Sequence, residues 1–196
     1  VQLPVPSEEQ VHEYLLSRGV ADPLARRAAR LAMGDAEEGY RLATDEQAMA
    51  RREMTTSLIL NVRSISSAFS AAEKLTDLAE QDAQAVSAAK DERERAELMA
   101  LLGIREGERV APTLRAQVRR LEDQQKRRAK RVASDTLLHS VAQVQTVLRD
   151  ALTLSLSAQL PLINEHLREP LTAWCERRSP EQLLQDVQAV EITLRR

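Results

Sequence analysis

The residues in this chain best equipped for chemistry are cations. Between Arg115 and Arg131 stand Arg115, Arg119, Arg120, Lys126, Arg127, Arg128, Lys130 and Arg131, against only Glu122 and Asp123. Such a run can neutralise phosphates and gives salt-dependent affinity. Lys126, Arg127 and Lys130 are the candidate DNA contacts. The plainer reading is a solvated helix face whose long stems cover neighbouring bundle surface. No aromatic residue is interleaved to stack bases, which argues against a single-strand platform. His12, His139 and His166 are far apart and share no metal-ligand spacing with Cys175, so structural or surface roles are expected. Cys175, beside Trp174 and with no neighbouring histidine, reads as a half-buried free thiol. As the only cysteine it forms no internal disulfide, which fits a reducing compartment. The acid pairs Glu8–Glu9 and Glu37–Glu38 open helices, where the macrodipole favours them. No glycine-rich phosphate loop, nucleophile elbow or zinc motif is present. The sequence thus assigns no catalytic residue, no metal site and no cofactor.

The elements that position these residues read as helices throughout. Net charge is −2, so no global basic field points to nucleic acid, and five glycines argue against a turn-rich β fold. No apolar run approaches membrane-spanning length, and this N-terminus carries no signal peptide. Ser7 to Gln10 forms a capping-box pattern that opens a helix through Val11, Tyr14 and Leu15, stopping near Gly19. Asp22 is expected as the next N-cap, with Pro23 at the first helical position. Leu24, Ala28, Leu31 and Ala32 share one face, and Arg26, Arg27 and Arg30 the other. Gly34 follows as a C′ residue, and Asp35 caps a third short helix. From Asp45 the helices lengthen. A stripe of Leu58, Val62, Ile65, Phe69 and Ala72 continues through Leu75, Leu78, Val86 and Ala89, with Asp82 as a weak point. Asp91 to Glu97 reads as a solvated face or a bend. Gly103 to Pro112 is the best loop of the second half. A further helix carries Leu114, Val118 and Leu121, loses register near Val132 to Asp135, and resumes through Leu137, Val141, Val144, Leu148 and Leu152. Pro161, Asn164 and Pro170 are expected to interrupt the chain. A second capping box at Ser179 to Gln182 opens a helix with Leu183, Val187, Val190 and Leu194 on one side. The expected organisation is a three-helix unit over residues 1–45 and a bundle of four to six helices over 46–196. The ends, Val1 and Arg195–Arg196, lie inside this pattern, so the chain reads as a piece of a longer protein.

The segment Ala21 to Leu42, ADPLARRAARLAMGDAEEGYRL, resembles the lid of AAA+ ATPases of the clamp-loader family. In that family a sensing arginine stands a few residues after the glycine; aligned on Gly34, the position is Glu37, and the next arginine, Arg41, is a turn later. The Tyr40–Glu46 junction, the run EDQQKRRAKRVASD from Glu122 to Asp135, and Leu162–Leu167 are similar to the actinobacterial delta-prime family of DNA polymerase III clamp-loader subunits. The resemblance implies an AAA+ lid without its ATP-sensing arginine, followed by a helical collar that oligomerises. It implies a non-catalytic subunit with an ATPase-like domain upstream, joined to gamma/tau and delta subunits through the collar. The assembled loader places a sliding β-clamp on primed DNA, in the bacterial cytoplasm at the replisome. A self-associating helical adaptor, and a DNA-binding regulator using Arg115 to Arg131, are the alternatives from other classes.

Overall fold

The computed structural model describes residues 4–104 and 108–195, the side chain of Val86 excepted. The protein is all-α: α1 (Glu8–Ser17), α2 (Asp22–Ala32), α3 (Ala36–Thr44), α4 (Glu46–Leu60), α5 (Ile65–Leu101), α6 (Arg115–Ser155), a 3-10 turn at Glu165–Leu167, α7 (Arg168–Cys175) and α8 (Pro180–Leu194) among the described residues. No helix among them is long and apolar enough to cross a membrane. Parts of the expected Gly103–Pro112 loop (residues 105–107) and of the chain ends (residues 1–3 and 196) lie outside the described residues.

Helices α1 to α3 share one core. Both expected caps on α1 and α3 form: Ser7 accepts from the Gln10 amide while Gln10 Oε1 accepts from the Ser7 amide, and Asp35 Oδ1 accepts from the Glu38 amide at 3.0 Å. The cap of α2 is different. Ala21 holds that position, so Asp22 is the first helical residue and Pro23 the second. The Asp22 carboxylate is engaged elsewhere, 2.9 Å from His12 Nε2 and accepting from Arg26 Nε at 3.2 Å. Leu24 is also misplaced by the sequence pattern: it is 39% exposed, and Ala25 and Ala29 join Ala28, Leu31 and Ala32 on the buried face. Four buried alanines make α2 thin enough for close packing. Leu15, Leu42 and Val11 fill the space between, each worth about 1.5–3 kcal/mol when fully buried. Gly39 keeps α3 close, since a Cβ there would stand 3.1 Å from Val11 Cγ1. Gly34, at φ +92°, follows Met33 at φ +49°, and a Cβ on Gly34 would fall 2.7 Å from the Pro6 carbonyl oxygen. That glycine is demanded twice, by dihedral and by space.

The chain forms two compact units, residues up to 71 with those from 141 onward, and residues 72–140. Helix α4 takes part in two cores of the first unit: Ala48 belongs to the core of α1 to α3, while Ile59 and Leu60 pack on a second core of Val144, Val147, Leu148, Ala151, Leu171, Trp174 and Leu183. The stripe from Leu58 to Ala72 is broken. Asn61 Nδ2 donates to the Ser57 carbonyl oxygen, and Ser67 Oγ accepts from the Arg63 and Ser64 amides, so these polar side chains end α4 and start α5. Ile65 and Phe69 consequently stand 80% and 74% exposed.

Residues 72–140 hold the α5 and α6 segments of the second unit. Leu75, Ala79, Ala83 and Val118 are buried there. The segment 91–97 is not a bend but a largely exposed helix face, with Glu92, Arg93, Arg95, Ala96 and Glu97 exposed and Asp91 and Glu94 partly covered. It stays helical, and Arg128 pairs with Asp91 and Glu94 while Gln125 Nε2 donates to the Asp91 carbonyl oxygen at 2.9 Å. Residue 91 lies about ten residues before the end of α5 and residues 125–128 a similar distance into α6, so the two helices return along one another as an antiparallel hairpin. No break occurs at Val132–Asp135. Pro170 likewise does not interrupt; it sits in the first turn of α7, where no amide donor is required.

Candidate functional site

Three places carry the chemistry the sequence raised. The first is the opening of α3. Glu37 is exposed in its first turn. Glu38 is buried, and Arg41, the one arginine of α3, donates to it from both Nε (2.7 Å) and Nη2 (3.0 Å). A fork of this kind satisfies both planar groups at once. Helix α3 thus opens on an outward acid followed by a buried, neutralised pair.

The second is the outer face of α6. Lys126, Arg127 and Lys130 are exposed, and so are Arg119, Arg120 and Arg131. At 100° per residue these six fall within an arc of about 140°, with Arg128 turned away toward α5. Asp91 and Glu94 keep the Arg128 guanidinium well above its ordinary pKa, with the Glu94 hydrogen bond the larger cause, and Arg128 in turn lowers the Glu94 carboxyl. Among the described residues none of the six outward cations makes an ion pair. Arg115 donates to the Val110 carbonyl oxygen at 3.4 Å, helping to set the start of α6.

The third place was missed by sequence reasoning. Asp150 and Asn164 are wholly buried. Asp150 Oδ1 accepts from the Ile163 amide (3.0 Å) and Arg149 Nη1 (2.8 Å); its Oδ2 accepts from the Asn164 amide (2.6 Å) and Asn164 Nδ2 (2.9 Å). Asn164 Oδ1 in turn accepts from Arg52 Nη2 at 3.3 Å. Burial lowers the Arg52 pKa to about 10, against the opposing pull of Glu38 and Asp150. The segment read as an interrupting linker is therefore the tie between α4 and α6. Its only signal was a charged residue, Asp150, within the stretch of α6 that carries Val144, Leu148 and Leu152.

His12 is buried against Asp22, and His139 is half-buried on α6. His166 lines a cleft of about 530 Å³ with Thr56, Leu60, Pro170 and Trp174, and burial lowers its pKa. Cys175 donates its thiol to the Ala151 carbonyl oxygen at 3.3 Å, and burial raises its pKa, which keeps it a thiol rather than a thiolate nucleophile. Arg178 stacks 3.7 Å from the Trp174 ring centre and donates to the Val62 carbonyl oxygen, closing α7 onto the end of α4. No group of three or more His, Cys, Asp or Glu able to hold a metal occurs among the described residues.

The fold and these places define an all-helical protein with a three-helix cluster, a long antiparallel hairpin and an unpaired basic helix face. No protein-family model, curated protein or solved structure matches the chain.

Proposed function

We propose that the chain is an assembly subunit of the delta-prime type of bacterial clamp loader, a non-catalytic member of a DNA polymerase III holoenzyme. In this reading residues 1–45 are an AAA+ lid that has lost its ATP-sensing arginine, and residues 46–196 are a helical collar. The observation that carries it is the opening of α3, where Glu37 faces outward and Glu38 occupies Arg41. A three-helix cluster with its own core and no free cation at that position suits a lid kept for its shape. The exposed Ile65 and Phe69 at the start of α5 supply apolar surface of the kind that collar helices bury against neighbours. Gamma/tau and delta subunits are the partners, ATP is hydrolysed by them, and the assembled complex loads the sliding β-clamp on primed DNA at the cytoplasmic replisome.

Size-exclusion chromatography with light scattering tests this. The chain is run alone and mixed with the gamma/tau and delta subunits. Co-elution as a hetero-oligomer of defined mass is expected. A stable homodimer indifferent to both partners overturns the proposal and favours a self-associating helical adaptor.

A further inference from the structure

We propose a second binding activity, independent of the assembly reading: the outer face of α6 from Arg119 to Arg131 holds the phosphate backbone of duplex nucleic acid without reading its sequence. The hairpin is polarised in charge. Residues 72–101 carry eight carboxylates and four cations, whereas residues 115–140 carry eight cations and three carboxylates. If the basic face existed only to hold the hairpin together, its cations would point at α5. Only Arg128 does so, taking both Asp91 and Glu94. Arg119, Arg120, Lys126, Arg127, Lys130 and Arg131 are exposed and unpaired among the described residues. Six like charges within about 18 Å of helix repel one another, a standing cost that a polyanion relieves.

The shape and composition of the face select the polyanion. It is a straight ridge and not a pocket, so it suits a linear array of charge over a small anion. Asp123 is its one acid; Ala116 and Gln124 are the uncharged residues nearest the cations. A protein partner needs an apolar or aromatic anchor at the centre of its interface, and the face offers none. Single strands are held by stacking bases on aromatic rings, and no Phe, Tyr or Trp lies on α6 between Arg115 and Ser155. A duplex presents one charge per about 1.7 Å of axis and asks only for cations at matching reach.

The test is fluorescence anisotropy of the 196-residue chain with a labelled 24-base-pair DNA duplex across a salt series. With about five phosphates contacted, raising salt fourfold from 50 mM is expected to weaken binding about 500-fold. The exposed triple variant Lys126→Glu, Lys130→Glu with Arg127→Glu should keep its circular-dichroism melting curve and reduce the salt slope by about three. A control triple on the other helix, Lys74→Glu, Lys90→Glu with Arg95→Glu, carries the same charge change and is expected to keep most of the binding and the slope. Equal losses in both triples reduce the effect to net charge and overturn the proposal. So does an absence of binding at 50 mM salt, a single strand that binds as tightly as the duplex, or an acidic peptide that binds as tightly and loses affinity in the first triple. A duplex RNA that binds alongside the DNA supports the proposal and widens the ligand to both duplexes.

Discussion

The two compact units handle polar groups in opposite ways. The first holds all the large side chains that are fully buried among the described residues, and its buried carboxylates are held firmly: Asp150 takes four donors and Glu38 is forked by Arg41, while buried Arg52 donates to Asn164 through Nη2 only. In the second, residues 72–140, none of the large fully buried side chains occurs among the described residues, alanines fill much of the inner face, and six cations stand free among them. The lesson is about what each unit is built to withstand. A buried network such as the one around Asp150, whose four donors come from within the unit, is specified by its own sequence and has little left to offer a partner at those groups. A hairpin with a small core and unpaired charge depends more on its surroundings, including salt and ligands.

The sharpest way to break this comparison is to remove one charge from each unit. Asp150→Ala removes the carboxylate that accepts from the Ile163 and Asn164 amides, while Asn164 Nδ2 keeps Thr146 Oγ1 and Arg149 keeps the Pro161 carbonyl oxygen as acceptors. It is expected to destabilise the first unit by about 3–5 kcal/mol, measured by urea unfolding. Arg128→Ala should cost far less, and the loss should shrink further in high salt, because that pair is partly open to water. If Arg128→Ala proves as damaging as Asp150→Ala, the contrast between the units fails.

A middle-sized effect comes from the turns. Gly34→Ala meets both a left-handed dihedral and the Pro6 carbonyl, so it is expected to cost about 2 kcal/mol or more. Gly103→Ala, at φ +69° with open space around it, should cost about 1 kcal/mol. Both α5 and α6 end in the same paired pattern of bonds, from Ile104 to Met99 and Gly103 to Ala100 in one case, from Ala158 to Thr153 and Ser157 to Leu154 in the other. Helix α6, however, places Ser157 at φ +51° where α5 has its glycine. Ser157→Gly is therefore expected to stabilise by about 0.5–1 kcal/mol. Thermal melts of the three variants check the order and the change of sign; a destabilised Ser157→Gly would show that its side chain contributes something the turn does not require.

These turns also mark how far the sequence could be read. Caps with side-chain signatures were legible: Ser7 with Gln10, Asp35, and Ser179 with Gln182 all form. The face of α8 carrying Leu183, Val187, Val190 and Leu194 was equally plain, since periodic apolar spacing needs no partner to be recognised. The end of α6 was not, because its turn uses serine and nothing local announces it. The stripe through Ile65 and Phe69 misled for a related reason: apolar spacing continued across Asn61 and Ser64, whose side chains capture the backbone groups that a continuous helix requires. Of the candidate sites, the exposure of Lys126, Arg127 and Lys130 accords with the solvated helix face expected of the basic run. The burial of Asp150 and Asn164 did not, because a charged residue in an apolar stripe becomes interpretable only once a segment 14 residues away supplies its donors.

The smallest expected effect concerns pH. His166 lines the cleft beneath Pro170 and Trp174, and its pKa lies below the ordinary 6.5, first because of burial and then because of the charge of Arg27, with Arg52 adding to it and Glu53 opposing. The unfolded chain accepts a proton at the ordinary value, while the folded protein resists until a lower pH. Between those two values the unfolded state binds more protons, so stability rises with pH through that window and is lost as pH falls through it. His166→Gln removes this contribution. Urea unfolding of both proteins from about pH 7.5 to about pH 5.5 should therefore show the wild type losing stability faster on acidification than the variant. Parallel curves would mean that the histidine is as well solvated when folded as when unfolded. The first unit would then be less sealed at this edge than its Asp150 core, and the contrast with the open hairpin would narrow to the core alone.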